Sequence, residues 1–116
     1  MESLDLANRI VEIIVDGLGE DVLILDLTDV TTIADYFVLC TANSLRHLSA
    51  LQGAIREQMK KEDVDLLAKS VEGNSDAGWI LIDYNSVIVH VFSREMREYY
   101  QLAQLWRSAR TVTHIQ

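Results

Sequence analysis

The chain predicts an α/β domain in which a mixed five-stranded sheet carries packed helices. Three observations lead there. Apolar residues recur at three- and four-residue spacing near the start, in the middle and near the end of the chain, as helices that bury one face require. Two near-continuous apolar runs, VLILDLT (22–28) and YFVLCT (36–41), have the length of buried strands. Residues 78–93, GWILIDYNSVIVHVFS, read as a hairpin whose strands are apolar on both faces, so each face needs a cover.

In chain order, Ser3 can cap a first helix, with Asp5 favourably placed in its first turn. Leu4, Ala7, Val11, Ile14 and Leu18 form its stripe, widened by Leu6, Ile10 and Ile13; Gly17 and Gly19 stop it. Two strands follow, joined by the connection Asp29 to Asp35. Ser44 caps a second helix that buries Leu48, Leu51, Ile55 and Met59. Its start lies at a strand end, where open α/β sheets often carry a site. KKEDVD (60–65) reads as a solvated turn, 66–71 as a third strand, and EGNSDA (72–77) as a polar loop.

The hairpin turn decides which residues share a face. A two-residue loop, Asn85-Ser86, puts Trp79, Leu81, Asp83, Ile88, His90 and Phe92 together. A three-residue loop would send His90 and Phe92 to the other side. The shorter loop is favoured because Asn tolerates positive φ. Ser93 then caps a last helix over 94–107, with Met96, Tyr99 or Tyr100, Leu102, Ala103, Leu105 and Trp106 as contacts. The closing THIQ is expected to fray. A helix between the second and third strands permits a parallel crossover, and the hairpin is antiparallel. The sheet is therefore mixed, with helices mostly on one side.

At 116 residues, the chain is sized for one domain, 1–116, with one core. An apolar fraction of 49% argues against disorder. A net charge of -8 disfavours nucleic-acid binding by bulk field, and no sequence-specific nucleic-acid contact is expected. The charge suits a basic partner surface, and equally plain solubility. Cys40 is the one cysteine, reads as a buried core residue, and points to a reduced compartment. No signal peptide or membrane-length apolar run is apparent, so a cytoplasmic protein is expected.

Four groups of residues invite chemistry. Asp26, Asp29, Asp35 and Asp83 resemble the carboxylates of a magnesium-dependent transferase, but no glycine-rich phosphate cradle and no Gly-Ser dipeptide accompanies them. Asp83 and His90 suit an acid–base pair or a structural hydrogen bond, and no nucleophile joins them. Ser44, Arg46 and His47 open a helix; capping explains Ser44, while Arg46 and His47 would be exposed to a partner. Trp79 stands beside Glu72 and Asp76, in a stretch from Ser70 to Ser93 that has no Lys or Arg. An indole ringed by acid fits a basic protein patch, and core packing fits it equally.

DYFVLCTANSLRH (35–47), VEG (71–73), WILIDYNSVIVHVF (79–92) and REYYQLAQLW (97–106) together resemble the ribosomal silencing factor, or Iojap-like, family across nearly the whole chain. The resemblance implies a nucleotidyltransferase-like α/β fold without the catalytic signature, no cofactor and no metal. It implies binding to the large ribosomal subunit through its ribosomal protein number fourteen, blocking of small-subunit joining under starvation, and a homodimer that competes with ribosome binding. Ser44, Arg46, Glu72, Trp79, Asp83 and His90 match the family's characteristic positions, with Trp79 and the acidic loop expected at the partner. Where the family commonly has glycine, this chain has Asn85. The alternative reading is a degenerate nucleotidyltransferase that binds nucleotide and magnesium.

Overall fold

The computed structural model describes residues 2–62 and 70–116. Helix α1 (Ser3–Asp16) leads into strands β1 (Glu20–Asp26) and β2 (Tyr36–Ala42), then α2 (Leu45–Glu62). Strand β3 (Ser70–Asn74), a 3-10 turn (Ser75–Ala77), and the hairpin β4 (Trp79–Asp83) and β5 (Val87–Ser93) follow. Helices α3 (Arg94–Tyr100) and α4 (Leu102–Leu105) precede strand β6 (Arg110–Ile115). The strands form one sheet in the order β3-β4-β5-β2-β1-β6. Among the described residues only β2 and β5 pair in parallel, with Tyr36 opposite Val87 through Ala42 opposite Ser93, and α2 lies in the connection between them.

The two sheet faces have separate cores. Val22, Ile24, Val38, Cys40, Ile80, Ile82, Val89 and Val91 pack beneath α1 and α2. The α2 stripe Leu48, Leu51, Ile55 and Met59 is buried as its spacing predicts. The opposite face carries Leu25, Phe37, Leu39, Ile88 and Phe92, covered by Met96, Leu102 and Trp106 from α3, α4 and the turn that follows. Burying each large side chain contributes roughly 1.5–3 kcal/mol, so the strands' double-sided apolar pattern is accounted for by two cores.

The hairpin has the two-residue loop. Tyr84 N–H bonds to the Val87 carbonyl at 2.9 Å, and Asn85 takes φ 73°. Trp79 therefore faces Phe92, Leu81 faces His90 and Asp83 faces Ile88.

Several local expectations are corrected. Among the described residues the sheet has six strands, because RTVTHI pairs antiparallel with β1 instead of fraying. Its β-branched residues suit that edge, and side-chain contacts pin both ends: Arg110 pairs with Asp26 at 3.2 Å, and His114 Nε2 is hydrogen-bonded to Asp21 Oδ1 at 2.8 Å. Glu72 to Asn74 belong to β3, not a loop, because β4 offers them a free edge. Lys60 to Glu62 extend α2 in place of a turn. Most of the strand expected over 66–71 lies outside the described residues, as do the side chains of Ala103 and Leu105. The last helix breaks at Gln101, which adopts φ 48°.

At α1, Glu2 occupies the cap position without a side-chain bond, so Ser3 is not the cap. Leu4 and Leu18 are exposed, against the expected stripe. The helix ends in a left-handed turn at Leu18 (φ 65°), with Gly19 N–H bonded to the Ile14 carbonyl at 2.8 Å. The helix does stop at the glycines, with Gly17 at the C-cap position, and Gly17 also allows close packing: a Cβ there would lie 2.8 Å from Leu51 Cδ2.

Candidate functional site

Strand pairing builds the candidate site. Paired residues point the same way, so Glu72, Leu81, His90 and Leu39 form one transverse row, and Asn74, Trp79 and Phe92 the next. Trp79 is half-buried at the margin of the α3-side core. Its ring meets Tyr100 at 5.9 Å between centroids, and Tyr100 meets Phe92 at 6.0 Å. Tyr99 stands edge-on to Tyr100 and is 77% exposed. Trp79 thus packs against the α3-side core and leaves part of its side chain at the surface.

The acidic segment beside it is conformationally fixed. Asn74 Oδ1 accepts the Ala77 N–H at 2.9 Å, capping the 3-10 turn. Gly73 and Gly78 adopt φ of 78° and 76°, which L side chains resist. Glu72 and Asp76 are exposed. Among the described residues neither has an ion-pair partner.

His90 is buried at 5% exposure. Its Nδ1 accepts the Trp79 indole N–H at 3.4 Å, and its Nε2 has no hydrogen-bond partner among the described residues. Burial and then the Arg97 charge push its pKa down to about 4, so the ring is neutral near pH 7. The proposed bond to Asp83 is not made; Asp83 Oδ1 instead accepts the Asn85 N–H at 2.7 Å and closes the turn.

The start of α2 is built differently from expectation. Ser44 Oγ accepts the His47 N–H at 3.0 Å, a capping bond. His47 is half-buried, not freely exposed. Its Nδ1 accepts the Asn43 N–H at 3.0 Å, so Nε2 donates to the Gly17 carbonyl at 2.7 Å and ties α2 to the end of α1. Arg46 is exposed as expected. Ser44 and Asp76 line a common cleft of about 420 Å³ at the ends of β2 and β5, with Gly78, Ser93 and Arg94. Asp76 and Glu95 in that lining oppose a phosphate ligand.

Of the sequence-named residues, Trp79, His90 and Glu72 come together on one face. Asp76 and Ser44 share the cleft, Asp83 sits at the hairpin turn, and Arg46 and His47 are on α2. The carboxylates Asp26, Asp29, Asp35 and Asp83 form no three-ligand group among the described residues. Asp26 is committed to Thr28 and Arg110, and the Thr28 bonds hold its carboxyl below the ordinary range. Cys40 is fully buried, its thiol pushed up to about 12 by burial. No role for Arg97 is legible from its neighbours in the chain; its guanidinium donates to Thr41 Oγ1 at 3.0 Å and approaches Asp21 at 3.6 Å, bracing α3.

The arrangement defines a mixed α/β domain with an aromatic cluster around Trp79 on its α3 face and exposed carboxylates beside it. Its whole length, residues 1–116, matches the family described as "Ribosomal silencing factor during starvation". The chain belongs to that family. It is 37% identical to the ribosomal silencing factor RsfS of Bacillus subtilis over 94 residues, covering 81% of this chain and 78% of that one. A crystal structure of a Chromobacterium violaceum protein superposes with a TM-score of 0.85 at 27% identity, covering 91% of this chain and 87% of that one. A more distant relative is the mouse "Mitochondrial assembly of ribosomal large subunit protein 1", 30% identical over 90 residues, covering 76% of this chain and 39% of that protein. No described helix is long and apolar enough to cross a membrane.

Proposed function

We propose that this chain is a cytoplasmic translational repressor that docks its Trp79 face on ribosomal protein number fourteen of the large subunit and sterically keeps the small subunit from joining. The observation that carries this reading is the half-buried Trp79 on an aromatic bed, beside exposed Tyr99 and the exposed carboxylates of Glu72 and Asp76. A rigid indole buries much area for little side-chain entropy, which is why Trp recurs at interface hot spots. The acidic margin selects a basic partner and speeds encounter. Family membership supports the ribosome as target, and the mouse relative's name supports the large subunit.

The action is occlusion, not chemistry. Ser44, Asp76 and Arg46 form the outer margin of the contact, and Asp83 keeps the hairpin in register. A homodimer of the free protein through the same face competes with the subunit. Light scattering during subunit joining tests this reading. Large subunits preincubated with the protein should join small subunits with reduced amplitude, in proportion to occupancy. Full joining by large subunits that demonstrably carry the protein refutes occlusion.

A further inference from the structure

We propose that His90 is a positioning residue for the anchor: its Nδ1 accepts the Trp79 indole N–H and holds the indole in the orientation presented to the partner. The inference rests on the proposed role of Trp79 and adds what sets the anchor's pose. The two rings lie at 23° with centroids 6.4 Å apart. At that separation the rings are offset, and the indole N–H reaches Nδ1 at 3.4 Å.

His90 is itself immobilised. Phe37 meets it edge-to-face at 4.8 Å, and Phe92 lies parallel to it at 5.8 Å. Across the strands it faces Leu81 on one side and Leu39 on the other. A half-buried indole held only by Tyr100 and Phe92 would keep rotamer freedom that docking must remove. A buried acceptor removes it beforehand, which favours association.

The tautomer is thereby fixed, with the proton on Nε2. That nitrogen is buried and has no partner among the described residues, a cost that a purely apolar ring would avoid. The cost is intelligible if Nδ1 is needed as an acceptor. The groups facing the ring leave little to protonate it. From α3, Arg97 repels a second positive charge. Tyr100 packs at a tilt against Trp79 and Phe92, β2 presents apolar Phe37 and Leu39, and Asp83 on β4 is turned to Asn85. The lock therefore persists across the physiological pH range.

The test is nuclear magnetic resonance of the full chain, paired with large-subunit affinity. Long-range proton–nitrogen correlation at pH 7 should find His90 protonated at Nε2 and bare at Nδ1; the opposite tautomer overturns the proposal without any mutant. His90→Phe should speed solvent exchange of the Trp79 indole proton at least tenfold and weaken large-subunit binding about tenfold. His90→Asn, whose oxygen falls near Nδ1, should recover much of both. Unchanged exchange in a folded His90→Phe overturns the lock, and faster exchange with unchanged affinity overturns its bearing on binding. If Trp79→Ala binds as the wild type does, the proposed function and the binding half of this inference fall together, while the exchange rate still decides the lock.

Discussion

Gly73 and Trp79 occupy space that only a glycine leaves open. A Cβ on Gly73 would overlap the Trp79 carbonyl oxygen and lie 3.1 Å from Cε3 of its indole. The same residue holds φ 78°, so shape and backbone conformation demand glycine independently. Gly73→Ala should therefore cost about 2 kcal/mol or more of stability and disturb the indole. Urea unfolding and the near-ultraviolet circular dichroism of Trp79 would measure both. An unperturbed variant would mean that β3 lies further from β4 than described.

Leu18 presents the converse case, a bulky residue where glycine is at ease. It ends α1 at φ 65° and is 75% exposed, so little packing is lost with its side chain. Leu18→Gly should stabilise the domain by about 0.5–1 kcal/mol. A lower melting temperature for the variant would assign Leu18 a contact not evident in its exposure.

His90 makes stability depend on acid. Its pKa is about 4 in the folded chain, against about 6.5 when unfolded. The unfolded chain takes up the proton first, so protonation favours unfolding. This contribution is absent above about pH 6.5, grows as pH falls towards the folded value, and levels off below it, reaching about 3 kcal/mol. The wild type should therefore lose ground against His90→Phe as acid is added across that window. Parallel stability curves for the two proteins would contradict the buried neutral imidazole.

The nucleotide-binding alternative makes a direct prediction of its own. The Asp26 and Asp83 carboxylates are turned to Thr28, Arg110 and Asn85, and among the described residues no three-ligand group is present to hold magnesium with ATP. Titration calorimetry should record no binding heat. A saturable heat lost on replacing Asp76 would restore the enzyme reading.

What could be read from the chain beforehand followed from periodicity and turn chemistry. The α2 stripe, the double-sided hairpin and the Asn85 turn all depend on local pattern, and the structure has each of them. The misses share a different origin. Strand β6 is polar enough to pass for a frayed tail, and becomes a strand because β1 offers an edge and Asp26 and Asp21 hold Arg110 and His114. The break at Gln101 has no glycine or proline to announce it. His47 looked available to a partner because its bond to the Gly17 carbonyl spans thirty positions of sequence. Trp79 was legible as an anchor or as core. Its pairing with His90 required the register of the hairpin.

Co-sedimentation of the protein with purified large and small subunits, wild type beside Trp79→Ala, tests the central claim most directly. The account predicts pelleting with the large subunit alone, and a loss of about 2 kcal/mol or more of binding in the folded variant. Pelleting with neither subunit, or equal pelleting of wild type and Trp79→Ala with the large subunit, would contradict it.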